Sequence, residues 1–373
     1  MDAPALLVSD PSRVRSELYT RFTHAYPQRG EALFPVGTRT MPPLLIDATV
    51  WLYQHCPAPT GERAELPEPV VQRLRAWALD LRRTGFPAHE YPAVAGMIAD
   101  VAGASQSERA VLAAAGEAMR DAATAADTAG VAPAAAARVT ATDSRGGATA
   151  VQCETGAQLR YSPGQTLPVM LAGHQGVWRG LAPAVPANGA GHVEFHLDGE
   201  FAPREPQPGD YLTLGAARGP SPALAGARAL IVAHGTGLAA AKALVFDLLE
   251  RPARPQVHLL IGADSPGQFY DVATFKALAR SQRWLQVTWA APNPAPGRGA
   301  VGGDPGVPVV GAPLEDLLAS PGAWWGSEIV LCGRRQRVEA LAAALLAAGA
   351  GGQETPITEL AYDAAPGWFA PAG

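Results

Sequence analysis

A short glycine turn separates an apolar strand pattern from a helical pattern, and its residue types suit the binding of phosphate groups. The turn is Gly235-Thr236-Gly237, with ALIVAH before it and LAAAKALVFDLLE after it. Glycine lets the backbone approach a ligand phosphate closely, and the positive end of the following helix favours the negative charge. A tight turn between a strand and a helix would use the same residues without any ligand, so the motif alone leaves both interpretations open.

A second apolar segment, EIVLCG, ends in Cys332 and Gly333 and is followed by Arg334 and Arg335. In a parallel sheet, the carboxyl ends of the strands meet at one edge, where ligands bind. The two arginines could hold a phosphate through charge-assisted hydrogen bonds, or they could form the solvated start of a helix. We therefore expect any ligand site to lie where the glycine turn and the Cys-Gly pair come together.

The rest of the sequence excludes several classes of function. Cys56, Cys153 and Cys332 lie far apart and form no CxxC pair, which excludes a disulfide framework and a structural zinc site. The net charge of −5 comes from 29 basic and 34 acidic residues spread along the chain, so the sequence does not predict nucleic-acid binding. No apolar run reaches the roughly 20 residues that span a bilayer. We expect a cytoplasmic protein that binds neither membrane nor nucleic acid.

Periodicity predicts three domains, and thus a multidomain fold of α, β and α/β parts. Residues 1–130 carry apolar side chains at helical spacing, including the stripe Val70, Leu74, Trp77 and Leu81, which predicts an all-helical head. Residues 137–224 alternate with a period of two between Gly- and Pro-containing turns, which is typical of a small antiparallel β-barrel. Residues 227–373 alternate strands with helices, which predicts a doubly wound parallel sheet.

Residues 227–350 resemble the nicotinamide domain of the ferredoxin–NADP reductase superfamily in the order and spacing of LIVAHGTGLAAAKALVFDLLE, VHLLIGADSPGQFYDVATFKALA and EIVLCGRRQRVEA. The resemblance implies that NAD or NADP lies against Gly235, Thr236, Gly237, Cys332 and Gly333. The chain departs from the family at two places. His234 stands where the family usually has glycine, and an arginine rather than proline follows the Cys-Gly pair.

The predicted barrel is similar to the flavin domain of the same superfamily, whose signature is Arg-x-Tyr-Ser/Thr. The matching residues here are Arg179-Gly180-Leu181-Ala182, so the arginine for the FAD phosphate is present, while the stacking ring and the hydroxyl are absent. A second phosphate motif is expected after residues 192–197, and that segment is shortened. Tyr362 occupies the place of an aromatic residue that covers the flavin, although a tyrosine in the core would fit the pattern equally. FAD binding is therefore expected to be weakened severely.

The helical head resembles the globin domain of flavohaemoglobins, which completes the order globin, flavin, nicotinamide. Tyr19 and Phe34 match the distal tyrosine and the phenylalanine that packs on the haem. In that family the iron-binding histidine lies ten residues before the tyrosine that matches Tyr91, and this position is Leu81. His55 and His89 flank the region and are expected to be surface residues. Leucine cannot bind iron, so we expect neither haem nor any other metal.

Two functions remain open from the sequence. One is an oxidoreductase that carries electrons from NAD(P)H through a flavin to a small molecule or a redox partner protein, without haem. The resemblance implies nitric oxide dioxygenation as the family activity. The other is a pseudoenzyme with a sensing, scaffolding or protein-interaction role that has lost haem and FAD. A third, weaker interpretation is a head that binds an apolar ligand in place of haem.

Overall fold

The computed structural model describes residues 3–56, 64–199, 205–292 and 308–362, and these form two compact units. The helical unit comprises the described residues up to 135 together with 170–178. The sheet unit comprises 136–169 and the described residues from 179 to 362. The three domain boundaries predicted above stay a prediction, because both sheets belong to one of these units.

The described residues of the helical unit form seven α-helices, in agreement with the predicted all-helical head. Local capping sets several of their ends. The Asp10 side chain accepts a hydrogen bond from the backbone of Arg13, and Ser105 with Glu108 forms a reciprocal capping box. Prolines set other ends, since Pro11 and Pro27 each begin a new helix. The helices are α1 Ala3–Ser9, α2 Pro11–Ala25, α3 Pro27–Leu33, α4 Pro43–His55, α5 Glu68–Leu81, α6 Tyr91–Val101 and α7 Gln106–Thr128.

The first sheet of the other unit is antiparallel and curled, which agrees with the predicted barrel-like domain. Its strands are β1 Ala135–Arg145, β2 Ala148–Thr155, β3 Leu167–Leu171, β4 Arg179–Leu181, β5 His192–Leu197 and β6 Tyr211–Leu214. They lie in the order β4-β3-β6-β1-β2-β5. One bridge between Pro183 and Phe195 joins the chain after β4 to β5 at the opposite edge. Alternate side chains of β5, including Val193 and Phe195, are buried.

The second sheet is parallel, and its strand order creates the expected ligand edge. Its strands are β7 Arg228–His234, β8 Gln256–Gly262, β9 Leu285–Ala290, β10 Val309–Val310, β11 Glu328–Gly333 and β12 Ile357–Ala361, in the order β10-β9-β8-β7-β11-β12. The helices between them are α8 Leu238–Glu250, α9 Val272–Ser281, α10 Leu314–Leu318 and α11 Arg335–Ala347. The order reverses between β7 and β11, and ligands of such sheets bind at the carboxyl ends next to a reversal.

Separate apolar clusters cover the two faces of the parallel sheet. One contains Ile231 and Leu259 with residues of α8 and α9, and the other contains Leu230 and Leu331 with residues of α10 and α11. Strands buried on both faces explain the continuous apolar runs in the sequence. Among the described helices, none combines the length and the apolar character that crossing a membrane requires.

Candidate functional site

The glycine turn and the Cys-Gly pair meet at the carboxyl edge of the parallel sheet. Cys332 lies opposite Ala233 in the register of β11 with β7. Gly235 has a φ of +56°, a left-handed conformation that favours glycine. A Cβ atom on Gly237 would overlap the carbonyl oxygen of Cys332. Gly235 is thus favoured by its backbone conformation and Gly237 by the close approach of the turn to β11, and the turn leads directly into α8.

The thiol of Cys332 is not a reactive group at this edge. Its side chain is fully buried, and burial raises the pKa of the thiol above its usual value. Cys332 and Gly333 therefore offer backbone groups to a ligand, and no thiolate. This arrangement agrees with a role in shaping the site.

Tyr362 lies directly beside the glycine turn. The Thr236 hydroxyl donates a hydrogen bond to the Tyr362 hydroxyl at 2.9 Å, and the Tyr362 amide donates to the Gly333 carbonyl at 3.3 Å. Burial raises the pKa of Tyr362, although its hydrogen bonds with Thr236 and Arg334 oppose that shift. The structure therefore brings together Thr236, Gly333 and Tyr362, which are more than a hundred residues apart at their extremes in the sequence.

The two arginines after the Cys-Gly pair have different surroundings. The guanidinium of Arg334 forms an ion pair with Asp198, just after β5, at 2.6 Å. Arg335 is exposed at the first residue of α11. Arg334 therefore already has a carboxylate partner at the site edge, and a phosphate bound there would compete with Asp198 for it.

The strand that matches the flavin signature does not fit a flavin ring of the superfamily type. Arg179 is exposed, whereas Leu181 and Ala182 are buried and supply neither a stacking ring nor a hydroxyl. A Cβ atom on Gly180 would lie 2.5 Å from the carbonyl oxygen of Tyr362, so the backbone of Tyr362 is packed closely against β4. The expected second phosphate motif falls partly on residues 200–204, outside the described residues.

The head position that would bind haem iron is occupied by an apolar contact. Leu81 ends α5, is half-buried and packs against the core of the helical unit. The Tyr91 hydroxyl is buried without a hydrogen-bond partner among the described residues, which leaves a polar group unsatisfied beside the altered position. The rings of Tyr19 and Phe34 contact each other directly, with centroids 5.4 Å apart. The residues present therefore do not fit a histidine-bound haem.

The histidines of the helical unit do not replace the missing ligand. His55 is exposed, stacks on Trp51 and hydrogen-bonds the carbonyl of that residue. The side chain of His89 is 75% exposed, and His24 is also exposed. His174, in the segment of the chain assigned to the same unit, donates its backbone amide to the Leu171 carbonyl. Each imidazole of α2, α4 and the turn before α6 is thus a surface group, as expected for His55 and His89.

Comparison with solved structures shows which known architecture this arrangement shares. A flavohaemoglobin from Malassezia yamatoensis, solved with bound FAD and haem, superposes with a TM-score of 0.66 over 96% of this chain and 98% of its own, at 13% identity. The chain has a flavohaemoglobin-like fold. At this identity the similarity establishes the fold alone. No protein-family profile matches the sequence, and no curated protein matches it.

Two further structures resemble the part of the flavohaemoglobin-like chain that contains the two sheets. A cytochrome P450 reductase from Amycolatopsis superposes over 61% of this chain and 69% of its own, with a TM-score of 0.51 and 18% identity. The cytochrome b5 reductase domain of Ulva prolifera nitrate reductase matches 61% of this chain and 97% of its own, with a TM-score of 0.50 and 16% identity. Both agree with the ferredoxin-reductase-like architecture predicted for residues 137–373.

One charged group inside this flavohaemoglobin-like fold was missed from the sequence. The Lys242 ammonium, on α8, donates to Glu194 of β5 and to Asp271 before α9, both at 2.7 Å. His196 lies 2.9 Å from Glu194 through Nε2, and its side chain is fully buried. The one available signal was a lysine in the otherwise apolar run LAAAKALVF, because buried lysines require partners.

Electrostatics holds this buried group in its charged form. Burial alone would raise the pKa of Glu194, but hydrogen bonds from His196 and Lys242 outweigh it and bring that pKa to about 2. Burial would also lower the pKa of Lys242, but Asp271 and Glu194 outweigh it and raise that pKa. Glu194, His196 and Asp271 have the side-chain types that bind metals. The Lys242 ammonium supplies the cation between the two carboxylates, so we assign no metal site there.

Proposed function

We propose that this protein binds a nicotinamide nucleotide, NAD or NADP, at the glycine turn and acts as a pseudoenzyme without haem or FAD. Its role would be to sense the nucleotide and pass that state to a protein partner. The observation that supports the proposal is the contrast between β4 and the glycine turn. Leu181 and Ala182 offer a flavin neither a stacking ring nor a hydroxyl, whereas the turn has Gly235 in a left-handed conformation and bonds Tyr362 through Thr236.

The residues at the turn have defined roles under this proposal. Gly235 and Gly237 let the backbone approach the pyrophosphate, and the start of α8 adds its positive end. Thr236 and Tyr362 border the place for the nicotinamide ring, and Cys332 and Gly333 form its floor through their backbone. A bound nicotinamide can accept or donate hydride. Under this proposal no flavin is bound beside β4 to exchange that hydride.

The cysteines support the proposed cytoplasmic location. Cys56, Cys153 and Cys332 are all free thiols, and two of them are buried. Unpaired cysteines are typical of a reducing compartment. This part of the proposal concerns location only and does not depend on nucleotide binding.

A second candidate function is electron transfer from NAD(P)H through a flavin to a small molecule or a redox partner protein. The observation that favours it is Arg179, which is retained and exposed on β4, where a flavin phosphate would be neutralised. Nitric oxide dioxygenation is a weaker form of this candidate, because it also needs haem and Leu81 offers no ligand.

The two candidates are separated by a nucleotide titration of the purified protein, combined with an assay of NAD(P)H oxidation. NADH and NADPH are titrated by isothermal calorimetry, first alone and then after incubation with FAD and a quinone acceptor. The proposal predicts saturable binding of one nucleotide and no oxidation above the rate without protein. Gly237→Ala should weaken binding at least about tenfold, because its Cβ displaces the turn from Cys332.

Gly267→Ala is the matched control, since Gly267 has open space around its Cβ position and should bind as the unchanged protein does. Flavin-dependent oxidation of either nucleotide would contradict the pseudoenzyme proposal and support the electron-transfer candidate. Failure of both nucleotides to bind would contradict the proposal altogether.

A further inference from the structure

A chain of hydrogen bonds leads from the buried Lys242 group to the glycine turn. His196 uses Nε2 to contact Glu194 and Nδ1 to contact the Tyr270 hydroxyl, at 2.9 and 3.0 Å. The Tyr270 hydroxyl lies 3.4 Å from the carbonyl oxygen of Gly235, to which it donates. The rings of His196 and Tyr270 meet edge-to-face, with centroids 5.1 Å apart. Both side chains are buried, so water does not compete for these bonds.

We propose that Tyr270 is a positioning residue for the nucleotide site, held by His196, which fixes the carbonyl of Gly235 and so the shape of the glycine turn. The inference rests on the proposed binding of a nicotinamide nucleotide at this turn. The turn needs such a restraint because Gly235 has no side chain and adopts a left-handed conformation that glycine also leaves easily.

The geometry shows how the chain of bonds acts on the turn. Glu194 is ionised and can only accept, so its bond with His196 uses a hydrogen on Nε2. The one hydrogen of the Tyr270 phenol lies within reach of Nδ1 of His196 and of the Gly235 carbonyl. The contact with His196 therefore holds the phenol oxygen of Tyr270 against the turn.

Charged groups from three elements surround the imidazole of His196. Glu194 on β5 and Asp271 before α9 are two carboxylates, and His196 lies 2.9 and 3.8 Å from them. Lys242 on α8 donates to both carboxylates and compensates their buried negative charge. The remaining titratable neighbours of Tyr270 are Asp198 and Tyr362. Burial, reinforced by these carboxylates and by Tyr362, holds the pKa of Tyr270 well above its usual value, so the phenol keeps its hydrogen.

The test compares Tyr270→Phe with Tyr161→Phe in the full chain. Tyr161 donates its hydroxyl to the Val185 carbonyl at 3.0 Å in the same unit, so its loss removes a similar bond elsewhere. The affinities for NAD⁺ and for NADP⁺ are measured by calorimetry. We expect Tyr270→Phe to weaken binding of the nucleotide that the unchanged protein takes about fivefold, because one hydrogen bond is lost at the turn. Tyr161→Phe should change neither quantity.

Hydrogen exchange of the backbone amides from Gly235 to Leu238 is measured on the same variants without nucleotide. Faster exchange in Tyr270→Phe alone supports the positioning role even if neither nucleotide binds, in which case only the proposed function is lost. Wild-type exchange and wild-type affinity in Tyr270→Phe would overturn the inference. His196→Asn, which keeps a polar group near the Tyr270 hydroxyl, should retain most of the affinity and of the exchange protection.

Discussion

The glycine turn at Gly235–Gly237 and the strand Arg179–Leu181 both contact Tyr362, and they do so in opposite ways. The turn meets its side chain, through the hydroxyl of Thr236, and Gly235 in the turn has a left-handed conformation. Strand β4 meets its backbone carbonyl at Gly180, and the two residues after Gly180 are the buried, apolar Leu181 and Ala182. Within one sheet unit, the turn thus has the glycines expected of a phosphate site, whereas β4 lacks the ring and the hydroxyl expected of a flavin site.

The helical unit resembles β4 in this respect. Leu81 extends the apolar stripe of α5 where a haem ligand is expected, and the nearby Tyr91 hydroxyl has no partner among the described residues. In both places the residues differ from those that the resemblance to flavohaemoglobins leads us to expect at a prosthetic group. The fold alone therefore says little about cofactors, because function resides in a few contact positions.

The largest expected effect concerns the buried ion pairs of Lys242 with Glu194 and Asp271. Lys242→Met should lower the free energy of unfolding by about 3–5 kcal/mol, because it leaves Glu194 and Asp271 without their buried cation. The measurement is urea unfolding followed by circular dichroism. Lys276→Met, at the chain's other lysine, half-buried on α9, should cost less than about 1 kcal/mol. Equal losses in the two variants would show that the buried group adds nothing.

Acid should reduce the stabilisation that the ionised Glu194 gives to the folded protein, over a defined pH range. The pKa of Glu194 is lowered from 4.5 to about 2 in the folded protein, so its contribution is complete above 4.5 and is lost as pH falls toward 2. This contribution is on the order of 3 kcal/mol. Urea unfolding across that range should show a shallower decline of stability for Glu194→Gln than for the unchanged protein. Parallel pH profiles would contradict the lowered pKa.

A smaller effect tests how closely β4 packs against Tyr362. Gly180→Ala places a Cβ 2.5 Å from the Tyr362 carbonyl, and we expect it to destabilise the protein by about 1–3 kcal/mol through overpacking. Gly189→Ala, where the added carbon meets open space, serves as the control and should change stability by less than about 0.5 kcal/mol. Equal stability of the two variants would contradict the close contact between β4 and Tyr362.

The smallest effect concerns the head. Tyr91→Phe removes a buried hydroxyl without a partner, so stability should stay the same or rise by up to about 1 kcal/mol. Tyr26→Phe removes a hydroxyl that donates to Glu90 at 2.7 Å and should cost about 1 kcal/mol. Both rings contact Phe86, which makes the pair well matched. A clear loss on Tyr91→Phe would reveal a partner for that hydroxyl.

Much of the architecture was predictable from local patterns. Helix α7, Gln106–Thr128, lies in the predicted all-helical head, and a capping box that the sequence carries begins it. The glycine turn and the Cys-Gly pair were predicted to meet because parallel strands share a carboxyl edge.

The contacts that decide function were not predictable in the same way. Lys242, Glu194 and Asp271 come from three separate elements, and no local period reveals that they meet. The contact of Gly180 with Tyr362 likewise depends on the path of the chain after β12. A sequence pattern records which face of an element is buried, but it does not record which distant residue covers it.

The most direct test of the central claim is one difference spectrum, taken across a dialysis membrane at equilibrium. The protein is dialysed against FAD, haemin and either NADH or NADPH, whichever it binds, and near-ultraviolet and visible absorption is compared on the two sides. We expect excess absorption on the protein side in the band of the reduced nicotinamide alone. A stoichiometric excess in the flavin bands, or a Soret band typical of histidine-bound haem, would contradict it.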